Sequence, residues 1–216
     1  MYNHILKIIN YHWGIIMIAI IDYKAGNAPS VYHALKKMNI SSKLVNNKAE
    51  IIQAEKIILP GVGSAFETIS SLKELDIIDT LNEQVVNKKV PFLGICVGLQ
   101  ILFDHSEEGN VNCLGWIPGR VKKFDKSVVR VPQIGWNSVE FTRPSPLIKG
   151  IPNGSYFYFV NSYYAVPTNH EYSLGFTKYG ERFCSMVSYD NIYATQFHVE
   201  KSGSVGLTML KNFSEL

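Results

Sequence analysis

The hydrophobic pattern of the chain changes about halfway along its length. In the first hundred residues, short apolar runs alternate with segments whose apolar positions recur every three or four residues. Residues 15–21 form an isoleucine-rich run that ends at Asp22 and is followed by Gly26-Asn27, the pattern of a strand buried on both faces and its exit turn. From Pro29-Ser30 onward, Val31, Ala34, Leu35 and Met38 fall at i, i+3, i+4 and i+7, which predicts a helix with one apolar stripe. Residues 43–45 predict a second short strand, and EKIILPGVGS (55–64) a buried strand running into a glycine-rich loop. Residues 65–89 predict one long helical stretch, with Leu72, Leu75, Ile78, Leu81 and Val85 at helical spacing and a stop at Lys88-Lys89-Val90-Pro91. Residues 91–95 predict another buried strand, and a helix follows through about Phe103.

Beyond that point the chain reads as short alternating stretches separated by Gly, Pro and Asn: residues 120–124, 128–136, 138–141, 156–164, 172–177, 183–189 and 192–200. These predict strands, several of them antiparallel. The last segment, VGLTMLKNFSEL, is amphipathic and predicts a closing helix. The fold class is therefore α/β: a parallel central sheet flanked by helices in the first half, with antiparallel strands added at its edge by the second.

Composition narrows the class of protein. A chain of 216 residues is long enough for one substantial domain, and 46% hydrophobic with 18% charged residues is the balance of an ordered globular fold. The net charge is only +3, and the doublets Lys36-Lys37, Lys88-Lys89 and Lys122-Lys123 lie far apart, so nucleic-acid binding is not expected. Cys96, Cys113 and Cys184 make an odd count without a Cys-x-x-Cys or a paired Cys/His spacing, which speaks against a disulfide framework and a structural metal. The run at 15–21 is far shorter than the roughly 18 residues of a membrane span, and the amino terminus lacks a signal-peptide pattern. A reducing, cytoplasmic setting is the expectation.

Three segments carry candidate chemistry. In PFLGICVGLQ (91–100) a buried strand ends at Gly-x-Cys-x-Gly and a helix begins, the layout of a nucleophile elbow with Cys96 as the nucleophile. The helix amino terminus favours a thiolate over a thiol. In ATQFHVE (194–200), read as a strand, alternation puts His198 and Glu200 on one face, where the carboxylate can fix the tautomer of an imidazole that takes a proton from a thiol. His4, His12, His33, His105 and His170 have no such partner and read as structural. LPGVGS (59–64) lacks the Gly-Lys-Ser/Thr ending of a phosphate loop; beside a cysteine elbow it suits the second arm of an oxyanion hole, with a backbone N–H near Val62 or Gly63 joining that of Val97.

Together these segments, with MIAIIDYKAGN at the start, LGWIPGRV (114–121), PQIGWN (132–137), YFVNSYY (158–164) and ATQFHVEKS (194–202), resemble the glutaminase subunits of imidazole glycerol phosphate synthase, a branch of the class I glutamine amidotransferases. The resemblance covers about residues 17–214, so residues 17–216 are expected to form the amidotransferase domain and residues 1–16 a dispensable extension. It implies a flavodoxin-like fold in which Cys96, His198 and Glu200 form a triad that hydrolyses glutamine, with no cofactor and no metal. It further implies that Gly61, Gln100, Glu108, Ser162 and Tyr163 bind substrate. Ammonia would pass to a (β/α)8-barrel cyclase partner, which would be met by Asn27, Gln133, Trp136, Asn137, Asn161 and Lys201.

Three positions depart from that family's usual pattern: Gln133 and Asn161 stand where histidine is common, and Val199 where proline is. These departures make a glutaminase serving a different synthase, such as a sugar-amidinating enzyme, the alternative. An α/β cysteine hydrolase would also have the elbow but usually places its acid well ahead of the histidine, and a non-catalytic interaction protein would show a broken triad.

Overall fold

The structure is a computed structural model that describes residues 18–24 and 27–216. The extension expected at 1–16 and the first residues of the predicted strand 15–21 lie outside the described residues. Strand β1 (Ile18–Ile21) is buried at every position and leads to helix α1 (Ala28–Lys37), which has a proline in its first turn and buries Val31, Ala34 and Leu35. β2 (Ser42–Val45) pairs parallel with β1. A one-turn helix α2 (Lys48–Ile52) follows, too short for periodicity to reveal, and is capped by Asn47, whose side chain accepts from the Glu50 N–H. β3 (Lys56–Gly61) is buried throughout.

The single helical stretch expected over 65–89 is instead three pieces: α3 (Ala65–Glu74), α4 (Ile78–Leu81) and a wide π-type turn at Asn82–Asn87. Asp76, with φ of 54°, breaks the first from the second, and a backbone reversal of that kind leaves no trace in hydrophobic spacing. Leu72, Leu81 and Val85 are still buried, which is why the periodicity looked continuous. β4 (Phe92–Cys96) then runs into α5 (Val97–Gln100), shorter than the helix expected to Phe103.

The second half contributes β5 (His105–Ser106), β6 (Val111–Asn112), β7 (Gly119–Lys123), β8 (Gln133–Ser138), β9 (Glu140–Phe141), β10 (Tyr156–Asn161), β11 (Tyr163–Pro167), β12 (Ser173–Tyr179), β13 (Glu181–Tyr189) and β14 (Ile192–Thr195), and closes with α6 (Gly203–Ser214). β2, β1, β3, β4 and β14 lie side by side and parallel. That order is the doubly wound one in which functional groups gather at the carboxyl ends of the strands. β13, β11 and β7 extend the sheet antiparallel from β14. The expected parallel core with an antiparallel extension is therefore present, and its central closing strand comes from the end of the chain.

β8 and β10 form a separate two-stranded ribbon. The run 156–164, expected as one strand, divides at Ser162 so that β10 joins the ribbon and β11 the main sheet. No helix among the described residues is long and apolar enough to cross a membrane.

Candidate active site

Cys96 ends β4 with φ of 57° and ψ of −106°, a backbone conformation that costs a non-glycine residue about 1–3 kcal/mol and persists only where packing over-determines it. Here the packing is between α5 and β3. A Cβ on Gly98 would collide with the Leu59 carbonyl, and one on Gly94 would meet the Gly98 carbonyl at 2.5 Å. Both glycines of the Gly-x-Cys-x-Gly motif are thus needed for the helix to sit close enough to hold the turn. The sulfur lies in a polar setting: its thiol donates to the Val160 carbonyl at 3.9 Å, and Gln196 Nε2 approaches it at 3.7 Å. Burial pushes the other two thiols, Cys113 and Cys184, up to about 11, the range of inert cysteines.

His198 and Glu200 come together, although not on a strand. β14 stops at Thr195, whose hydroxyl donates to the Phe197 carbonyl. His198 then caps a single 3-10 turn, Val199–Lys201. That turn, not strand alternation, brings His198 Nδ1 to 3.0 Å from Glu200 Oε1, with both side chains buried. Burial disfavours the imidazolium, but the hydrogen bonds and charges of Cys96 and Glu200 outweigh it and raise His198 to about 10. Since Nδ1 faces the carboxylate, Nε2 is the nitrogen left for the sulfur.

Two bonds clasp this turn to the middle of β10, His198 N–H donating to the Tyr158 carbonyl at 2.9 Å and Tyr158 N–H donating to Ser202 Oγ at 3.0 Å; a third, from Ser202 Oγ to the His198 carbonyl at 2.6 Å, closes the turn on itself.

A cavity of about 250 Å³, the size for an amino acid more than for a drug-sized ligand, opens beside these groups. It is lined by Cys96, His198 and Val97, by Val62 and Gly63 of the glycine-rich loop, and by Gln100, Glu108, Ser162 and Tyr163. Glu108 accepts from the Ala65 N–H at the start of α3, and burial holds its carboxyl above the usual range. Gln100 Nε2 donates to the Tyr163 carbonyl at 3.2 Å and to Gln196 Oε1 at 3.0 Å, while Gln100 Oε1 is buried with no partner among the described residues. Gly61, expected to bind substrate, is not part of the lining; it lies beneath, packed on the Tyr23 hydroxyl and Val97 so closely that a Cβ would not fit. Among the described residues there is no cluster of His, Cys, Asp and Glu able to hold a metal.

The residues expected at a partner surface divide. Trp136 is exposed on the outward face of the β8–β10 ribbon with Ile134, Tyr156 and Val160, and Lys201 is also exposed. Asn137 reaches back to the Lys178 carbonyl. Gln133 and Asn161 are paired across the ribbon but point inward, both buried, each with a side-chain oxygen unpartnered among the described residues. Asn161 lines the cavity itself. Asn27 is part of the inner site: its Nδ2 donates to Glu200 Oε1 at 2.7 Å. Sequence reasoning missed Gln196, although it stands two residues before His198 in the same alternation.

Comparison with known proteins places this geometry in context. A family model for glutamine amidotransferase class I matches residues 19–215. The chain is 48% identical over 204 residues to imidazole glycerol phosphate synthase subunit HisH of Methanocaldococcus jannaschii, covering 93% of this chain and 100% of that protein. It is 44% identical over 202 residues to subunit HisH 1 of Campylobacter jejuni, with the same coverage. Among solved structures, a crystal structure of a glutamine amidotransferase superposes with a TM-score of 0.72 at 18% identity, covering 92% of this chain and 97% of that one. PurLQS from Thermotoga maritima does so with a TM-score of 0.72 at 16% identity, covering 91% and 96%.

Proposed function

Because the chain belongs to the class I glutamine amidotransferases, and within them to the HisH subunits of imidazole glycerol phosphate synthase, we propose that Cys96, His198 and Glu200 hydrolyse glutamine for histidine biosynthesis. The observation that carries this reading is the approach of His198 to Glu200 on one side and Cys96 on the other, at the mouth of an amino-acid-sized cavity.

The Cys96 sulfur, its proton already held by His198, attacks the side-chain amide carbon of glutamine. The resulting oxyanion is held by the Val97 N–H together with an N–H from the Val62–Gly63 arm; one such donor is typically worth about 10²–10³ in rate. His198 returns the proton to the nitrogen, the carbon–nitrogen bond breaks, and ammonia leaves a glutamyl thioester. Water, deprotonated by His198, then releases glutamate and the thiol. Glu200 keeps the imidazole in the required tautomer. Gln100 Oε1, Glu108, Ser162 and Tyr163 receive the amino-acid end of the substrate.

Ammonia is consumed by a synthase partner, a (β/α)8-barrel cyclase, in the cytoplasm. The exposed apolar face of the β8–β10 ribbon, whose Val160 and Asn161 also line the cavity, supports a docking surface there. Hydrolysis is expected to be slow in the isolated chain and fast with the partner and its ribonucleotide substrate present, since free ammonia is wasted.

The test measures glutamate release from the full chain alone, with a histidine-pathway cyclase, and with cyclase plus its ribonucleotide. Strong stimulation that vanishes in Cys96→Ser is the expected result. Absence of stimulation by that cyclase, with stimulation by a barrel synthase of a sugar-modifying pathway, would replace the histidine pathway by the alternative. Glutamine turnover by Cys96→Ser within a few-fold of wild type would remove the triad assignment.

A further inference from the structure

Gln196 has no exposed surface, yet both ends of its side-chain amide are engaged. The orientation of that amide follows from a main-chain group two steps away. The Tyr163 carbonyl can only accept, so the Gln100 atom at 3.2 Å from it is Nε2. The same Nε2 donates to Gln196 at 3.0 Å, which must therefore present Oε1. With Oε1 committed, Nε2 of Gln196 is the atom that faces the Cys96 sulfur at 3.7 Å. Its backbone is fixed too, the Gln196 N–H donating to the Ser185 carbonyl at 2.9 Å.

We propose that Gln196 is a positioning residue that holds the Cys96 sulfur and favours its anionic form, and that through Gln100 it couples filling of the substrate cavity to readiness of the nucleophile. This rests on the glutaminase reading and deepens it. Besides His198, which also faces the sulfur, two contacts on it pull in opposite directions. The Val160 carbonyl accepts from the thiol and so stabilises the neutral form, whereas an N–H donor stabilises the anion. When a substrate donor reaches the unpartnered Gln100 Oε1, the Gln100 amide is polarised. Its N–H strengthens toward Gln196, and the N–H of Gln196 in turn strengthens toward the sulfur, because hydrogen bonds in a buried chain reinforce one another. The nucleophile is thereby biased toward attack once substrate is in place.

The experiment uses the full chain with Gln196→Leu, close in size but without a donor, and Gln196→Glu, which keeps the acceptor toward Gln100 and turns a second acceptor to the sulfur. Iodoacetamide alkylation of Cys96 is followed against pH on its own peptide by mass spectrometry, so that Cys113 and Cys184 do not contribute. The kcat and KM for glutamine are measured alongside. In Gln196→Leu the alkylation of Cys96 at neutral pH should slow about tenfold, and kcat should fall about tenfold while KM changes less than about threefold. Gln196→Glu should slow alkylation further; if one variant fails to fold, the other carries the measurement. An alkylation profile superimposable on wild type in a folded variant would overturn the proposal, and so would a change confined to KM. Residual glutamine turnover by Cys96→Ser in the same assay would instead remove the glutaminase reading itself.

Discussion

β4 and β10 are both short apolar strands, yet β4 buries all five of its positions, whereas β10 exposes Tyr156 and Val160 while burying Phe157 and Phe159. The difference lies in what covers each face. β4 sits between β3 and β14 with α5 laid against it, so every side chain meets protein. β10 has only β8 beside it, and the outward face of that pair, with Ile134 and Trp136 from β8, is uncovered. Trp136 packs edge-on to Tyr158 at 6.0 Å and keeps the strip together. The core supplies the rigid turn under Cys96, and the ribbon supplies an exposed apolar strip whose backbone reaches both the sulfur and His198. Position in the sheet, more than residue type, separates the two roles.

The largest effect expected from testing this contrast comes from the core. Gly98→Ala places a methyl group on the Leu59 carbonyl and should cost about 3 kcal/mol or more, lowering Tm by roughly 10 °C. Glutaminase activity should be lost with it. A melting curve within 2 °C of wild type would show that α5 can move off β3 freely and that the elbow is less constrained than its packing indicates.

Next comes the support of the carboxylate. Asn27→Leu removes the 2.7 Å donor to Glu200 from outside the main sheet, leaving a buried charge with less support. The expectation is a drop in kcat of about tenfold, with KM for glutamine little changed. An unaltered kcat would return Asn27 to the partner surface alone.

The pH dependence of stability is a subtler probe. The folded-state value of His198, about 10, lies above its ordinary 6.5. Its stabilising contribution is therefore complete below about pH 6.5 and is lost progressively as pH rises through about 10. Glu200→Gln weakens one cause of that elevation, so Tm measured from pH 6 to pH 10 should fall less steeply in the variant than in wild type. Parallel curves would show that Glu200 does not hold the proton on His198.

The smallest effect on the fold is expected at the ribbon. Trp136→Ala and Ile134→Asp change exposed side chains and should move Tm by no more than about 2 °C, while sharply reducing stimulation by the cyclase. Loss of the fold in either variant would place the ribbon face among the core-like regions and erase the contrast.

β1, β3 and β4 were legible because strands buried on both faces read as continuous apolar runs. The elbow was legible because close packing demands glycine at 94 and 98. The break at Asp76 was not, since one left-handed residue leaves helical spacing intact. The run 192–200 read as a strand because QFHVE alternates as a strand does; a side-chain bond from Thr195 and the clasp on Tyr158 end it early. The inward turn of Gln133 and Asn161, and the reach of Asn27 to Glu200, depend on contacts between segments far apart in the chain. The ribbon's exposed face was hidden for a simpler reason: YFYFVN is apolar on both faces, so alternation could not say which one water sees.

The two-bond clasp between Tyr158 and the 198–202 turn bears on how such a subunit can be recombined. A chimera that imports residues 133–161 from a relative also imports the strand on which His198 is seated. Grafts that carry 198–202 from the same donor keep the clasp matched, and grafts that leave it behind join two halves shaped for different neighbours. In modular terms, the ribbon and the turn that carries His198 form one cassette divided over two stretches of chain.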